Sequence, residues 1–406
     1  MKILVYAHEL ELGGSQTNSI DLAAAVRDRF GHEVRLFATP GPAGALAARK
    51  DLELIEAPKA SKHPSPTMMR ALERVVRDWR PDIVHAWEWP QIADACFGPQ
   101  IRHRTRVVAS NMSMAVLRSI PGGVPLTVGY PGLVEASRDR RSGPVVLVEP
   151  PVDTAADDPA VIDGSPFRAA TGVPDGACLI VVVSRLVDWM KADGIARAID
   201  AMPELTGGAV LAVVGEGSAA PMLEARAQAA NARAGRRVAV LTGALADPRP
   251  AYAAADIMLG MGGSALRGMA FGKPTVVLGE GGFARLFDEQ SATAFLRHGF
   301  YGVDRQEAPS ELPGILDALV GDSALRERVG RLSYETVRER FSLDAMADRL
   351  DALYRTAPVP RRWPALLDLA RTVPSLVRSQ TGRGGRSAAD ATVTGAAPSV
   401  PIGSVA

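Results

Sequence analysis

Short apolar runs and amphipathic stretches alternate from the N-terminus onward. Residues 2–7 form a run suited to a fully buried parallel strand, and Gly13-Gly14-Ser15 follows in a loop. Ile20, Leu22, Ala23, Ala24 and Val26 are spaced for a helix over 15–30. Gly31 suits its C-cap, and 33–38 reads as the next strand. Strand, helix and strand in so short a span predict a right-handed crossover. The rhythm continues with a helix over 67–79 and strands over 82–86, 106–110, 126–129 and 145–148. Pro and Gly punctuation over 150–176 interrupts it. A second series predicts strands over 178–183, 209–214, 238–241, 256–260 and 274–278. Helices are predicted over 192–203, 218–234, 248–254, 264–271 and 310–320. A long amphipathic helix over 323–355, with a break point before Ser342, closes the series.

Alternating strands and helices predict α/β domains with parallel sheets. We divide the chain into a Rossmann-like domain over 1–152, an interdomain segment over 153–177, and a second Rossmann-like domain over 178–330. A closing helix over 331–357 and an amphipathic stretch with a disordered tail over 358–406 complete it. Two doubly wound domains predict a cleft between the carboxyl ends of their strands, where ligands bind.

Composition narrows the function classes. Hydrophobic residues make up 47% and charged residues 22%, as in a soluble globular protein. The formal net charge is +1, which argues against a broad nucleic-acid-binding surface. Cys96 and Cys178 stand far apart with no Cys/His ligand spacing, so neither a disulfide framework nor a structural zinc site is expected. No apolar run approaches the ~20 residues that span a bilayer, and the N-terminal run is short for a signal peptide, so a cytoplasmic location is expected. Residues 358–386 hold six Arg and one Asp, with Trp363, Leu366, Leu367, Ala370 and Val377 near one helical face. That stretch suits peripheral contact with the inner face of a membrane, docking on the first domain, or disorder.

Four loops carry candidate chemistry, each where a strand meets a helix. Gly13-Gly14 lets a ligand approach the backbone at a helix N-terminus, but the spacing is not the GxGxxG of a dinucleotide site. Arg185 and Lys191 follow the strand 178–183 and suit phosphate. Gly215-Glu216-Gly217-Ser218 turns a strand into a helix, and a Gly-rich loop at Gly262-Gly263-Ser264 opens another. His8, His85 and Asn111 are candidates on the first domain.

In this order the loops resemble the retaining, nucleotide-sugar-dependent glycosyltransferases of family 4, in an actinobacterial-like form, over about residues 1–355. The resemblance rests on Ser184-Arg185-Leu186 with Lys191, Val214-Gly215-Glu216-Gly217-Ser218, and Thr242-Gly243-Ala244-Leu245. Tyr252 to Asp256 and Arg267 to Val277 extend it, and the first half adds Gly13-Gly14 and Pro81 to His85. It implies the GT-B fold: two doubly wound domains facing a central cleft, with a C-terminal helix crossing back toward the first. The sequence departs from the family at Arg267 and Leu259, where the family usually carries glutamates, and at Asn111, where it usually carries His.

The resemblance implies transfer of a sugar, with retention, from a nucleotide diphosphate donor to a hydroxyl of a glycan, lipid-linked or small-molecule acceptor. Arg185 and Lys191 would neutralise the departing diphosphate. Gly13, Gly14, Gly215, Glu216, Gly243, Ala244, Gly262, Gly263, Ser264 and Arg267 would line the donor, and His8, His85 and Asn111 the acceptor side. No cofactor is implied. No Asp-x-Asp triplet occurs in the chain, so the basic pair is expected to take the place of a metal. Arg267 is expected to add a third cation at the diphosphate or select an anionic donor, or else to face solvent or pair with an acid such as Glu280. A GT-B nucleotide-sugar 2-epimerase and a non-catalytic nucleotide-sugar binder are the alternatives.

Overall fold

The computed structural model describes residues 1–302 apart from 8, 12, 175, 189 and 190, and then 312–380 and 392–394. The chain divides into two compact units, Met1–Pro151 with Asp344–Ala406, and Val152–Leu343.

The first unit is built on β1 (Lys2–Tyr6), β2 (Glu33–Ala38), β3 (Glu53–Glu56), β4 (Ile83–Trp87), β5 (Arg106–Asn111), β6 (Ala115–Leu117), β7 (Leu126–Val128) and β8 (Val145–Leu147). Its main sheet runs β3-β2-β1-β4-β5-β7-β8, with every pairing parallel. The order reverses between β1 and β4. Helices before and after that point cover opposite faces, so central strands such as β1 and β4 are buried along most of their length. Local signals fix the helix ends. Ser65 accepts the Met68 amide and Pro66 starts the helix Pro66–Trp79.

The second unit holds β9 (Cys178–Val183), β10 (Ala209–Val214), β11 (Ala239–Gly243), β12 (Ile257–Gly260), β13 (Thr275–Leu278) and β14 (Ala284–Leu286). Its order is β11-β10-β9-β12-β13-β14, parallel except for the β14 edge. Here the reversal falls between β9 and β12. Residues 153–177, read as an interdomain segment, belong to this unit. They supply the helix Ser165–Thr171, whose Phe167 joins a core with Leu179, Val181 and Tyr252.

The closing helix is two helices, Ser323–Arg340 and Leu343–Thr356. Val152 breaks it: its N–H donates to the Phe341 carbonyl, and its own carbonyl accepts the Leu343 amide. The second helix packs within the first unit. Its Asp351 meets His32 at 2.6 Å, its Asp348 meets Arg29 at 2.7 Å, and its Tyr354 meets His85 at 2.7 Å.

The tail also differs from the sequence reading. A helix runs over Arg362–Gln380, and β15 (Thr392–Thr394) pairs antiparallel with β6 although disorder was expected from Gly382. Main-chain pairing orders those three residues, a signal that composition does not carry. The rest of the tail lies outside the described residues.

Candidate functional site

The carboxyl ends of β9, β10 and β12 gather most of the predicted donor residues. Beyond β9, the Ser184 amide donates to Val214 and the Leu186 amide to Glu216, at 3.0 and 2.8 Å, so the loops after β9 and β10 are laced together. Gly215 sits at φ 148°, where a Cβ would lie 1.8 Å from the Ser184 carbonyl oxygen; only glycine fits. Its N–H donates to the Gly243 carbonyl at 2.9 Å. Gly215 therefore shapes the loop, and its amide is not available to a phosphate. Glu216, Gly243 and Ala244 are exposed at the same end of the sheet.

Arg185 is exposed, and Lys191 is half-buried at the start of the helix Ala192–Ala201. Burial and then the charge of Arg185 push the Lys191 amine down to about 8. No carboxylate offsets that shift. Asp188, the one acid of the 184–191 loop, accepts a hydrogen bond from Ser218 instead. Among the described residues, neither Arg185 nor Lys191 forms an ion pair.

Beyond β12, Gly262 donates to the Phe300 carbonyl at 2.6 Å, with the Tyr301 ring against its α-carbon. The helix Gly263–Ala270 begins without a side-chain cap, so its first amides present a partial positive charge. Ser264 turns its hydroxyl back to Met261 at 3.3 Å and does not face outward.

Arg267 follows the ion-pair alternative of the sequence reading. Its Nε lies 3.3 Å from Asp157 Oδ2, on a side chain only 3% exposed. A buried carboxylate needs a cation, and this arginine supplies it from the next turn of the helix. It pairs with Asp157, so the expected ion pair with an acid is present. Leu259 is a core residue of β12 with no exposure, so neither family position presents a carboxylate. Glu280 is exposed just beyond β13.

In the first sheet, the loops beyond the paired strands β1 and β4 meet. Gly13 is extended and begins the helix Gly14–Phe30 without a side-chain cap. Ser15 Oγ donates to Glu88 Oε1 at 2.8 Å, which sets a carboxylate at this helix start. Glu88 also accepts from the Met112 amide at 3.1 Å and from Ser113 Oγ at 3.0 Å. It adopts φ 65°, a left-handed conformation costly for a non-glycine residue. The sequence reading passed over Glu88; the signal was its place directly after a buried strand.

Two acceptor-side candidates lie inside the fold. His85 is 1% exposed, with Nε2 at 2.7 Å from Ser110 Oγ and Nδ1 at 2.7 Å from Tyr354 Oη. Burial pushes its imidazole down to about 3, so it is neutral. Asn111 is equally buried and donates to the Ser113 and Ala115 carbonyls, closing the turn after β5. Both side chains stand on central strands covered on both faces, so they hold the scaffold and do not meet an acceptor. His8 lies outside the described residues.

Residues 177–307 match the family model described as glycosyl transferases group 1, and residues 12–122 match glycosyltransferase family 4. No protein of curated function matches the sequence. Among solved structures, the chain is similar to a glycosyltransferase from Rickettsia africae ESF-5 at 16% identity and TM-score 0.67, over 87% of this chain and 97% of that one. Anabaena Alr3699/HepE in complex with UDP and glucose gives 16% and 0.67 over 88% and 100%. Sucrose-phosphate synthase from Thermosynechococcus elongatus gives 17% and 0.63 over 87% and 98%. At these identities the likeness establishes the fold. One family match falls on each sheet, and the fold is that of the GT-B glycosyltransferases.

Proposed function

We propose that the protein transfers a sugar, with retention of configuration, from a nucleotide diphosphate sugar to a hydroxyl acceptor. One observation carries this reading: Arg185 and Lys191 both follow β9 without an ion-pair partner among the described residues, and burial, then the charge of Arg185, depress the Lys191 amine. Such a pair is costly unless an anion completes it, and a diphosphate supplies that charge. As the glycosidic bond breaks, negative charge grows on the β-phosphate. Arg185 and Lys191 stabilise that charge more than the ground state, which lowers the barrier. The uncapped amides at Gly263 add to the same field. Glu280, exposed just beyond β13, would accept from ribose hydroxyls in this reading, since Arg267 pairs with Asp157. Solved relatives bound to UDP and UDP-glucose support a nucleotide-sugar donor.

A second reading, nucleotide-sugar binding without turnover, draws on the missing carboxylates at 259 and 267. Thermal shift with UDP-, GDP-, ADP- and dTDP-sugars, followed by transfer assays with the donor that binds, separates the two. A donor that raises Tm and is turned over to a glycosylated acceptor supports transfer. Binding with no turnover across acceptor classes supports the binder, and free nucleotide without transfer product points to an epimerase. Activity is expected to survive EDTA, because two side chains perform the metal's charge compensation. Loss on chelation that Mg²⁺ restores would contradict that.

A further inference from the structure

The helix Arg362–Gln380 has two faces of opposite character. Its only acid, Asp368, accepts the amides of Gly122 and Gly123 at 3.0 and 2.6 Å. Leu369, Thr372 and Leu376 are buried on that same side. Trp363, Leu367, Ala370, Pro374 and Val377 recur at helical spacing on the opposite side, and all are exposed. Trp363 is 76% exposed, Leu367 63% and Val377 53%. Val373 widens the stripe. Arg371 and Arg378 edge it, and Arg361 and Arg362 precede it, all four exposed. Arg104 adds a further cation at the start of the helix, where it donates to the Pro360 carbonyl at 3.4 Å.

The sequence reading treated docking on the first unit and contact with a membrane as alternatives. The structure shows the docking, and it is achieved with the other face. Anchoring through Asp368 takes the helix's one negative charge inward and presents tryptophan, leucine and valine edged by arginine. Large exposed apolar stripes mark interaction surfaces. An apolar stripe edged by arginines is complementary to an anionic bilayer, where the rings and alkyl groups sit at the acyl boundary and guanidinium groups sit at phosphates. We propose that this face docks the protein on a membrane surface rich in anionic lipid, with Trp363, Leu367 and Val377 at the headgroup–acyl boundary. The proposal does not depend on transfer activity.

Vesicle flotation of the full chain tests it, with phosphatidylcholine vesicles containing phosphatidylglycerol set against phosphatidylcholine alone. The protein is expected to float with the anionic vesicles and much less with the neutral ones. Binding is expected to weaken at high salt. The double variant Trp363→Ser/Leu367→Ser is expected to lose at least ~10-fold in binding. Both positions are solvent-exposed, so its thermal melt should match the parent, and Arg371→Glu/Arg378→Glu gives a second variant that leaves the apolar stripe intact. No binding to anionic vesicles, or binding by both variants equal to the parent's, would overturn the proposal. So would a dimer in sedimentation velocity that the serine variant abolishes while vesicles stay unbound, since the stripe would then serve a second copy.

Discussion

The two sheets reverse their strand order at equivalent places, yet the strand ends there carry groups of opposite charge. Between β1 and β4 of the first sheet, Glu88 sets a carboxylate at the helix start and is held by Ser15, Met112 and Ser113. Beyond β9 of the second, Arg185 and Lys191 form no ion pair among the described residues. Each sheet also holds a basic group with a depressed pKa. His85 is neutral and bonded through both nitrogens, so burial is relieved within the fold. Lys191 has no ion-pair partner among the described residues, and burial is the larger cause of its shift. In the proposed function, the second of these strand ends is the one that takes the anion.

The largest expected effect sharpens that contrast. Arg185→Ala or Lys191→Ala should cut kcat/KM by at least ~100-fold, about 3 kcal/mol of transition-state stabilisation, with the melt unchanged. Steady-state kinetics with the donor found by thermal shift checks it. Arg267→Glu should act on stability instead. It sets a second carboxylate against buried Asp157 and should lower the stability of the second unit by about 2 kcal/mol. Recovery in the double variant Asp157→Asn/Arg267→Glu, read by chemical denaturation, would confirm the pair as the cause.

Two pH dependences follow, with opposite origins. In the folded state His85 cannot take a proton until about pH 3, whereas the unfolded chain takes one near 6.5. Stability should therefore fall as pH drops through that window, by up to ~1.4 kcal/mol per unit from this group. His85→Gln should flatten the slope. Lys191 loses its charge above about pH 8, so donor affinity should weaken up to ~10-fold per pH unit beyond it. Lys191→Arg should remove that alkaline limb. The smallest effect concerns Glu88→Gln, which keeps the shape but weakens three hydrogen bonds. It should cost about 1 kcal/mol of stability and leave nucleotide affinity alone.

Most of the strand order was legible because buried parallel strands are written as apolar runs, as at Leu179 to Val182 and Val210 to Val214. Elements lacking that signal escaped. β3 is a four-residue edge strand with glutamate at both ends, β14 contains Arg285, and the helix Ser165–Thr171 sits amid Pro and Gly punctuation. The site was half legible. Gly-rich turns after strands located the loops, and Arg185 and Lys191 stood out there. What failed depended on side-chain direction. Nothing local tells that Gly215 spends its amide on Gly243, that Asn111 turns inward, or that Arg267 meets an aspartate 110 positions earlier.

Calorimetric titration tests the account most directly, with UDP, GDP and ADP as diphosphate probes. The proteins to compare are the full chain, the Arg185→Ala/Lys191→Ala variant and Glu88→Gln. The account predicts that a diphosphate bound by the parent binds at least ~100-fold more weakly to the double variant, about 2.7 kcal/mol, and with unchanged Kd to Glu88→Gln. Equal affinity in the parent and the double variant, or loss in Glu88→Gln alone, would place the anion elsewhere and contradict it.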